Sequence, residues 1–328
     1  MEWDKIEPPL KVRGNRTLTG IAIQRLLIRG TNWIGDAVMT LPALASLRKT
    51  FPEARISILA KPWVADVYRL SPHVDDIVLF ASPGRHDGVS GKIRLASELR
   101  TRHFDAVILL QNAIEAAIIA RMAGIPVRAG FNTDGRGWLL THAVTRTRAI
   151  RAVHQTRYYL EMAKALGCQP VSIDVQLKPG MDDRIAAETI LQRYGLGEHV
   201  LIGLAPGATY GAAKKWHPER FAAVADRLAD ALSARVLLFG SAADRESTAQ
   251  VAMHARHPLV DLAGETNLRD AMAVMARCRL FMSNDSGLMH IAAALGVPTV
   301  AIFGSTNPVT TGPVGRRTVI VRQEVPCS

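Results

Sequence analysis

Ser283-Asn284-Asp285-Ser286-Gly287-Leu288-Met289-His290 stands between the apolar run Leu280-Phe281-Met282 and an apolar stretch of helical character over 291–295. It reads as a strand, a tight polar turn and a helix whose first backbone N–H groups are left free, which makes a ready site for a phosphate. A second turn of this kind lies near the other end of the chain. There Leu26-Leu27-Ile28-Arg29 is a short apolar strand, Gly30-Thr31-Asn32-Trp33-Ile34-Gly35 a loop, and Asp36 opens an apolar helix through Val38, Met39 and Leu41. Two strand-turn-helix sites, each with an acid at the turn, predict two nucleotide-fold domains facing one cleft.

Working outward, strand-length apolar runs alternate with helical segments. Strands are expected at 25–29, 56–60, 77–80 and 105–110, with helices at 37–49 and 113–122; this is the βα alternation of a parallel sheet. Leu177-Lys178-Pro179-Gly180 breaks both helix and strand, so domains are expected at 1–180 and 181–328, with 1–20 a loose tail. The second half opens with a helix over 183–194, and its strands are expected at 200–204, 236–239, 280–283 and 299–303. Each half should be an α/β, Rossmann-like doubly wound unit holding ligands at the carboxyl ends of its strands.

Composition agrees. A chain of 328 residues with 48% hydrophobic content suits two cores of roughly 150 residues each. Nothing approaches the roughly 20 uninterrupted apolar residues of a membrane span, and the first twenty residues lack a signal-peptide core. Cys168, Cys278 and Cys327 are scattered, with no metal-ligand spacing, which favours a reducing compartment and no metal site. Charge is uneven: 1–180 carries 25 Lys+Arg against 15 Asp+Glu, a net of +10, and 181–328 carries 15 against 14, a net of +1. With aromatics at 5% and no recognition-helix or zinc-finger pattern, nucleic acid is not the expected partner. A phosphorylated or carboxylated partner on the first domain, or a merely solvated basic surface, both fit.

Three motifs carry a resemblance. Residues Gly30 to Leu44, the loop Pro206-Gly207-Ala208-Thr209-Tyr210-Gly211-Ala212-Ala213-Lys214-Lys215-Trp216, and Asn284 to His290 resemble the bacterial ADP-heptose:lipopolysaccharide heptosyltransferases, in order and over about Leu26 to Thr310. Within that family the loop Arg29-Gly30-Thr31-Asn32-Trp33 is closer to the branch adding the second heptose than to the Lys-Thr-Ser-Ser loop of the first. The resemblance implies a GT-B fold and inverting transfer of L-glycero-D-manno-heptose from ADP-heptose to the heptose of the lipopolysaccharide inner core. It also implies a cytoplasmic enzyme, peripheral at the inner membrane surface, with no required cofactor. Family members usually run on past the position of Cys327 into a helix that packs on the first domain, whereas this sequence stops at Ser328.

Sugar transfer from a nucleotide diphosphate needs a base for the acceptor hydroxyl and cationic or N–H groups for the departing diphosphate. A single carboxylate suffices for inversion, because ADP leaves readily without the acid that a glycosidase supplies. Asp36 is the candidate base, with Asn32, Trp33 and Gly35 in its loop. It could equally be a first-turn acid worth about 1 kcal/mol to its helix, whose N-terminus would favour the anion and weaken the base. Lys214 is expected at the diphosphate, with Lys215 as its confounder. Ser286 and Gly287 offer backbone N–H groups, and Asp285 is placed to orient sugar hydroxyls or the loop. His290 is either a donor contact or a helix-face histidine bonded to a carbonyl. Thr209 and Thr266 match family positions that touch the nucleotide, whereas the acid expected for the ribose has no counterpart near Gly240-Ser241-Ala242, leaving Asp244 or Glu246. Arg29, Lys61, Arg128 and Arg136, at or beside strand ends, are candidate acceptor contacts.

Two other classes are weighed. A nicotinamide-linked oxidoreductase lacks its Gly-x-Gly-x-x-Gly after a strand. A non-catalytic nucleotide-binding module would account for the basic charge without Asp36.

Overall fold

The structure, a computed structural model, describes residues 9–208 and 211–323. The chain divides into two compact units, Met1–Asp174 and Val175–Ser328.

In the first unit six parallel strands, β1 (Arg25–Arg29), β2 (Arg55–Ala60), β3 (Asp76–Leu79), β4 (Ala106–Leu109), β5 (Val127–Phe131) and β6 (His142–Val144), form a sheet of order β3-β2-β1-β4-β5-β6. In the second, β7 (Leu201–Ala205), β8 (Arg235–Leu238), β9 (Val260–Asp261), β10 (Leu280–Asn284), β11 (Thr299–Phe303) and β12 (Thr318–Arg322) are ordered β12-β11-β10-β7-β8-β9, also parallel. Both orders reverse direction at one place, between β1 and β4 and between β7 and β10. At such a point adjacent loops diverge and leave a crevice at the carboxyl ends of the strands. Both sequence turns, Gly30–Gly35 and Asp285–Gly287, lie there.

The central strands are buried on both faces, which explains their unbroken apolar runs. The helix Ile34–Thr50 is buried over most of its length, from Ala37 to Leu44 and again at Ser46 and Leu47. Pro42 inside it removes one backbone donor, a defect of roughly 3 kcal/mol in an isolated helix that only dense packing offsets. The helix Gln155–Ala165 packs against it and buries Tyr158, Tyr159 and Met162.

The described part of the expected tail is not loose. Leu10, Val12 and Leu18 are buried, Val12 bridges Val144, and the Leu18 amide donates to the Leu166 carbonyl at 2.8 Å. Three apolar side chains spaced along a polar segment are enough to fasten it to the sheet edge.

Candidate active site

Asp36 lies in the first turn of the helix Ile34–Thr50, whose N-cap is Trp33. It is only partly exposed, and burial raises its carboxyl above the ordinary aspartate range. Desolvation thus acts in the direction opposite to the weakening anticipated from the helix dipole alone. No side-chain hydrogen bond engages its carboxylate among the described residues. Tyr159 is close enough to feel it: the phenol is pushed well up, first by burial and then by the negative charge of Asp36.

The loop before Asp36 is braced from below. Gly30 sits so close to Tyr68 that a Cβ would come within 2.8 Å of the phenol oxygen, and the Thr31 amide donates to that oxygen at 3.1 Å. Arg29 is buried; it donates to the carbonyls of Gly30 (2.5 Å) and Leu59 (3.2 Å) and to Asn32 Oδ1 (2.8 Å), and burial lowers its pKa to about 10. The Asn32 carbonyl in turn accepts from Trp63 Nε1 at 2.8 Å. Trp33 is exposed beside Asp36, and Gly35 is in the same helical turn.

The four basic residues expected as acceptor contacts all donate to backbone carbonyls of their own unit. Arg29 and Arg136 are interior. Arg136 donates to the carbonyls of Phe131, Gln111 and Ala113 and to Asn112 Oδ1, fastening the loops after β4 and β5. Lys61 donates to the Ser82 carbonyl at 2.7 Å and lies 3.8 Å from the centroid of the Phe80 ring; burial, then the charge of Arg29, lowers its pKa. Arg128 donates to the carbonyls of Leu139, Ile125 and Pro126. A guanidinium with five donors closes irregular loops efficiently, and these cations do so here.

In the second unit the two lysines part. Lys214 Nζ lies 2.6 Å from Asp285 Oδ2, which also accepts from Thr306 Oγ1 at 2.7 Å, while Lys215 turns to Ser247 Oγ at 3.0 Å. Asn284, fully buried, staples three segments: its amide donates to the Pro206 carbonyl at 2.7 Å and its oxygen accepts from the Trp216 amide at 3.0 Å. Trp216 packs edge-on against Phe221 with ring centroids 5.3 Å apart. The lysine loop, the end of β7 and the end of β10 thus form one cluster.

Ser286 caps the helix Gly287–Ala294 without a side-chain bond to it; its hydroxyl lies 3.0 Å from Ser283 Oγ. The amides of Gly287 and Leu288, in the first turn, have no intrahelical acceptor, and Asp285, the partner of Lys214, stands two residues before Gly287. His290 is buried one turn on. Thr266 is half-buried in the loop after β9, and Thr209 lies outside the described residues. Asp244 closes its own turn by accepting from the Ser241 amide and hydroxyl, and packs so tightly on Gly207 that a Cβ there would lie 2.1 Å from its Oδ1. Glu246 is exposed in the first turn of the helix Arg245–His254.

Tyr68, Tyr159 and Thr306 were not singled out in the sequence. Thr306, three residues past the carboxyl end of β11, was findable from its position after a central strand; the tyrosines lie in helices remote in sequence from the loops they support. Among the described residues no group of three or more His, Cys, Asp or Glu is arranged to hold a metal ion, and no helix is long and apolar enough to cross a membrane.

Two doubly wound units, each with polar loops at its switch point, define the GT-B class of glycosyltransferases. The chain belongs to glycosyltransferase family 9, the heptosyltransferases, whose family model matches residues 92–328. It is 30% identical to lipopolysaccharide heptosyltransferase 2 of Salmonella typhimurium over 91% of this chain and 88% of the relative. It is 32% identical to lipooligosaccharide heptosyltransferase 2 of Haemophilus influenzae over 90% and 88%. Among solved structures, ADP-heptose LPS heptosyltransferase II of E. coli superposes with a TM-score of 0.77 at 28% identity, covering 92% of this chain and 91% of that one. A glycosyl transferase family 9 protein of Veillonella parvula gives 0.85 at 26% identity, covering 94% and 88%.

Proposed function

We propose that this enzyme transfers a heptose from ADP-heptose to the heptose of a lipopolysaccharide inner core, with inversion, at the cytoplasmic face of the inner membrane. The observation that carries the reading is the cluster of Lys214, Asp285 and Thr306 at the head of the helix Gly287–Ala294. It joins a cation, a carboxylate and free amides, which suits a sugar diphosphate.

In this scheme the second unit holds the donor. Lys214 and the amides of Gly287 and Leu288 take up charge on the β-phosphate as the bond between C1 and the phosphate oxygen breaks. Asp285 is kept for the sugar hydroxyls, and Thr209, Thr266 and His290 for the rest of the donor. The first unit holds the acceptor. Asp36 removes the acceptor hydroxyl proton as that oxygen bonds to C1, and burial makes it a stronger base than an exposed aspartate. Arg29 and Arg136 act through the loops they brace. The scheme uses no metal, since Lys214 and the amides supply the positive field; equal rates in magnesium and in EDTA are expected.

The test is a donor-acceptor assay with ADP-heptose and a heptose-terminated core, read by ADP release, product mass and anomeric configuration. Absence of transfer, or transfer with retention, overturns the reading. Turnover separates it from a non-catalytic module, because ADP raises the melting midpoint in both cases but only an enzyme transfers the sugar.

A further inference from the structure

On one side of the first unit, the helices Gly88–Arg100 and Ile114–Met122 pack against each other, and the second packs against the short 3-10 turn Arg136–Leu139. Their inner faces are accounted for: Leu95, Ala96, Leu99, Ala116, Ala117, Ile119, Ala120 and Leu139 share one buried cluster with the strands. Their outer faces are not what a merely solvated surface requires. Val89 is 77% exposed, Ile93 51%, Ile114 39%, Ile118 41% and Trp138 73%. The pairs 89/93 and 114/118 repeat at one helical turn, so each helix carries its apolar side chains on a single outward stripe. Trp138 lies on the turn that packs against the second helix, a turn that buried Arg136 fastens from within.

The charges around this row are one-sided. Each acid on the two helices is matched, Glu98 by Arg85 at 2.7 Å and Glu115 by Lys92 at 3.0 Å. Arg94, Arg100 and Arg121, all exposed, have no carboxylate partner among the described residues. Apolar side chains with a tryptophan, rimmed by surplus arginines, have the chemistry of a surface that lies on anionic lipid. A second copy of the chain fits worse, because a two-fold contact would set the arginine rims of both copies against each other.

We infer that the face formed by Val89, Ile93, Ile114, Ile118 and Trp138 docks on an anionic phospholipid bilayer, the arginines engaging headgroup phosphates. This deepens the membrane contact proposed above and rests on it. Docking there would hold the acceptor unit against the lipid in which an anchored acceptor is embedded.

The test is co-sedimentation of the full chain with vesicles of phosphatidylcholine alone and of phosphatidylcholine with phosphatidylglycerol, all free of lipopolysaccharide, at low and high salt. The wild type should bind the anionic vesicles, more weakly as salt screens the arginines. Ile93→Asp/Ile118→Asp, and separately Arg94→Glu/Arg121→Glu, should lower vesicle affinity by about tenfold or more. Both should keep the wild-type melting midpoint and the wild-type rate on a delipidated, heptose-terminated core. The inference is overturned if the wild type does not bind anionic vesicles or if the variants bind as it does. It is overturned equally if sedimentation velocity finds a dimer that Ile93→Asp/Ile118→Asp dissociates. Failure of the functional reading looks different: the wild type would then be inactive on the delipidated core, whatever the vesicles show.

Discussion

Replacing Asp36 by Asn keeps side-chain size and removes only the capacity to take a proton. Because no side-chain hydrogen bond engages the carboxylate among the described residues, the substitution breaks no network, and because burial already disfavours the charged form, it removes a desolvation cost. The sign follows from the raised carboxyl. The folded state binds more protons than the unfolded state between the ordinary aspartate value and the raised one, so stability falls as pH rises through that window and stays lower above it. At neutral pH Asp36→Asn should therefore melt no lower than the wild type, and its advantage should vanish in acid. Catalysis should move the other way. Loss of a general base costs about a hundredfold to ten-thousandfold in turnover, or roughly 3–5 kcal/mol of barrier. The assay pairs turnover under saturating substrates with calorimetric titration of ADP, whose affinity should stay unchanged. The wild-type rate should rise with pH on an acidic limb placed above the usual aspartate range, and the variant should lack that limb. Turnover within about tenfold of wild type, or a variant that retains the limb, would refute the assignment and leave Asp36 as a helix-end acid.

Lys214→Ala should weaken ADP binding and slow transfer by about 2–4 kcal/mol in total, whereas Lys215→Ala, whose ammonium turns to Ser247, should change little; reversed ADP affinities in a titration would undo the distinction. Gly30→Ala forces a methyl against the Tyr68 phenol and should lower the denaturant midpoint by the equivalent of about 1–3 kcal/mol; an unchanged midpoint would mean the loop is free to move. If the acceptor binds through the excess basic charge of the first half, raising salt should increase the acceptor KM much more than the donor KM, because exposed charges are screened within about 8 Å. Equal salt sensitivity in two initial-rate series would make that charge a solubilising surface.

The central strands and both switch-point turns were legible because they combine unbroken apolar runs with a Gly-containing polar turn. The edges were not. β5 is interrupted by Arg128 and Gly130, β6 has three residues and β9 two, so none shows a pattern long enough to register. The positions of Asp36 and Asp285 could be read directly, but their surroundings could not. Arg29 and Arg136 read as acceptor contacts because they stand at or beside strand ends; their burial was not legible, since arginine is seldom fully buried and the carbonyls that hold them belong to segments up to thirty residues away. The raised carboxyl of Asp36 was invisible for a related reason, since it depends on how deeply three-dimensional packing covers the helix end.

The helix that carries Asp36 is buried from Ala37 to Leu44 and again at Ser46 and Leu47. Its amides can exchange with solvent only when the unit opens as a whole, so this segment should be among the slowest-exchanging in the protein. If Asp36 is the base proposed above, a base on so stiff a support does not search for its partner. The acceptor hydroxyl would then have to be delivered to it, and a sugar bound even slightly out of reach would gain nothing from loop adjustment on that side. Acceptor selectivity then becomes a matter of reach as well as affinity, and a poor acceptor should show itself in kcat more than in KM.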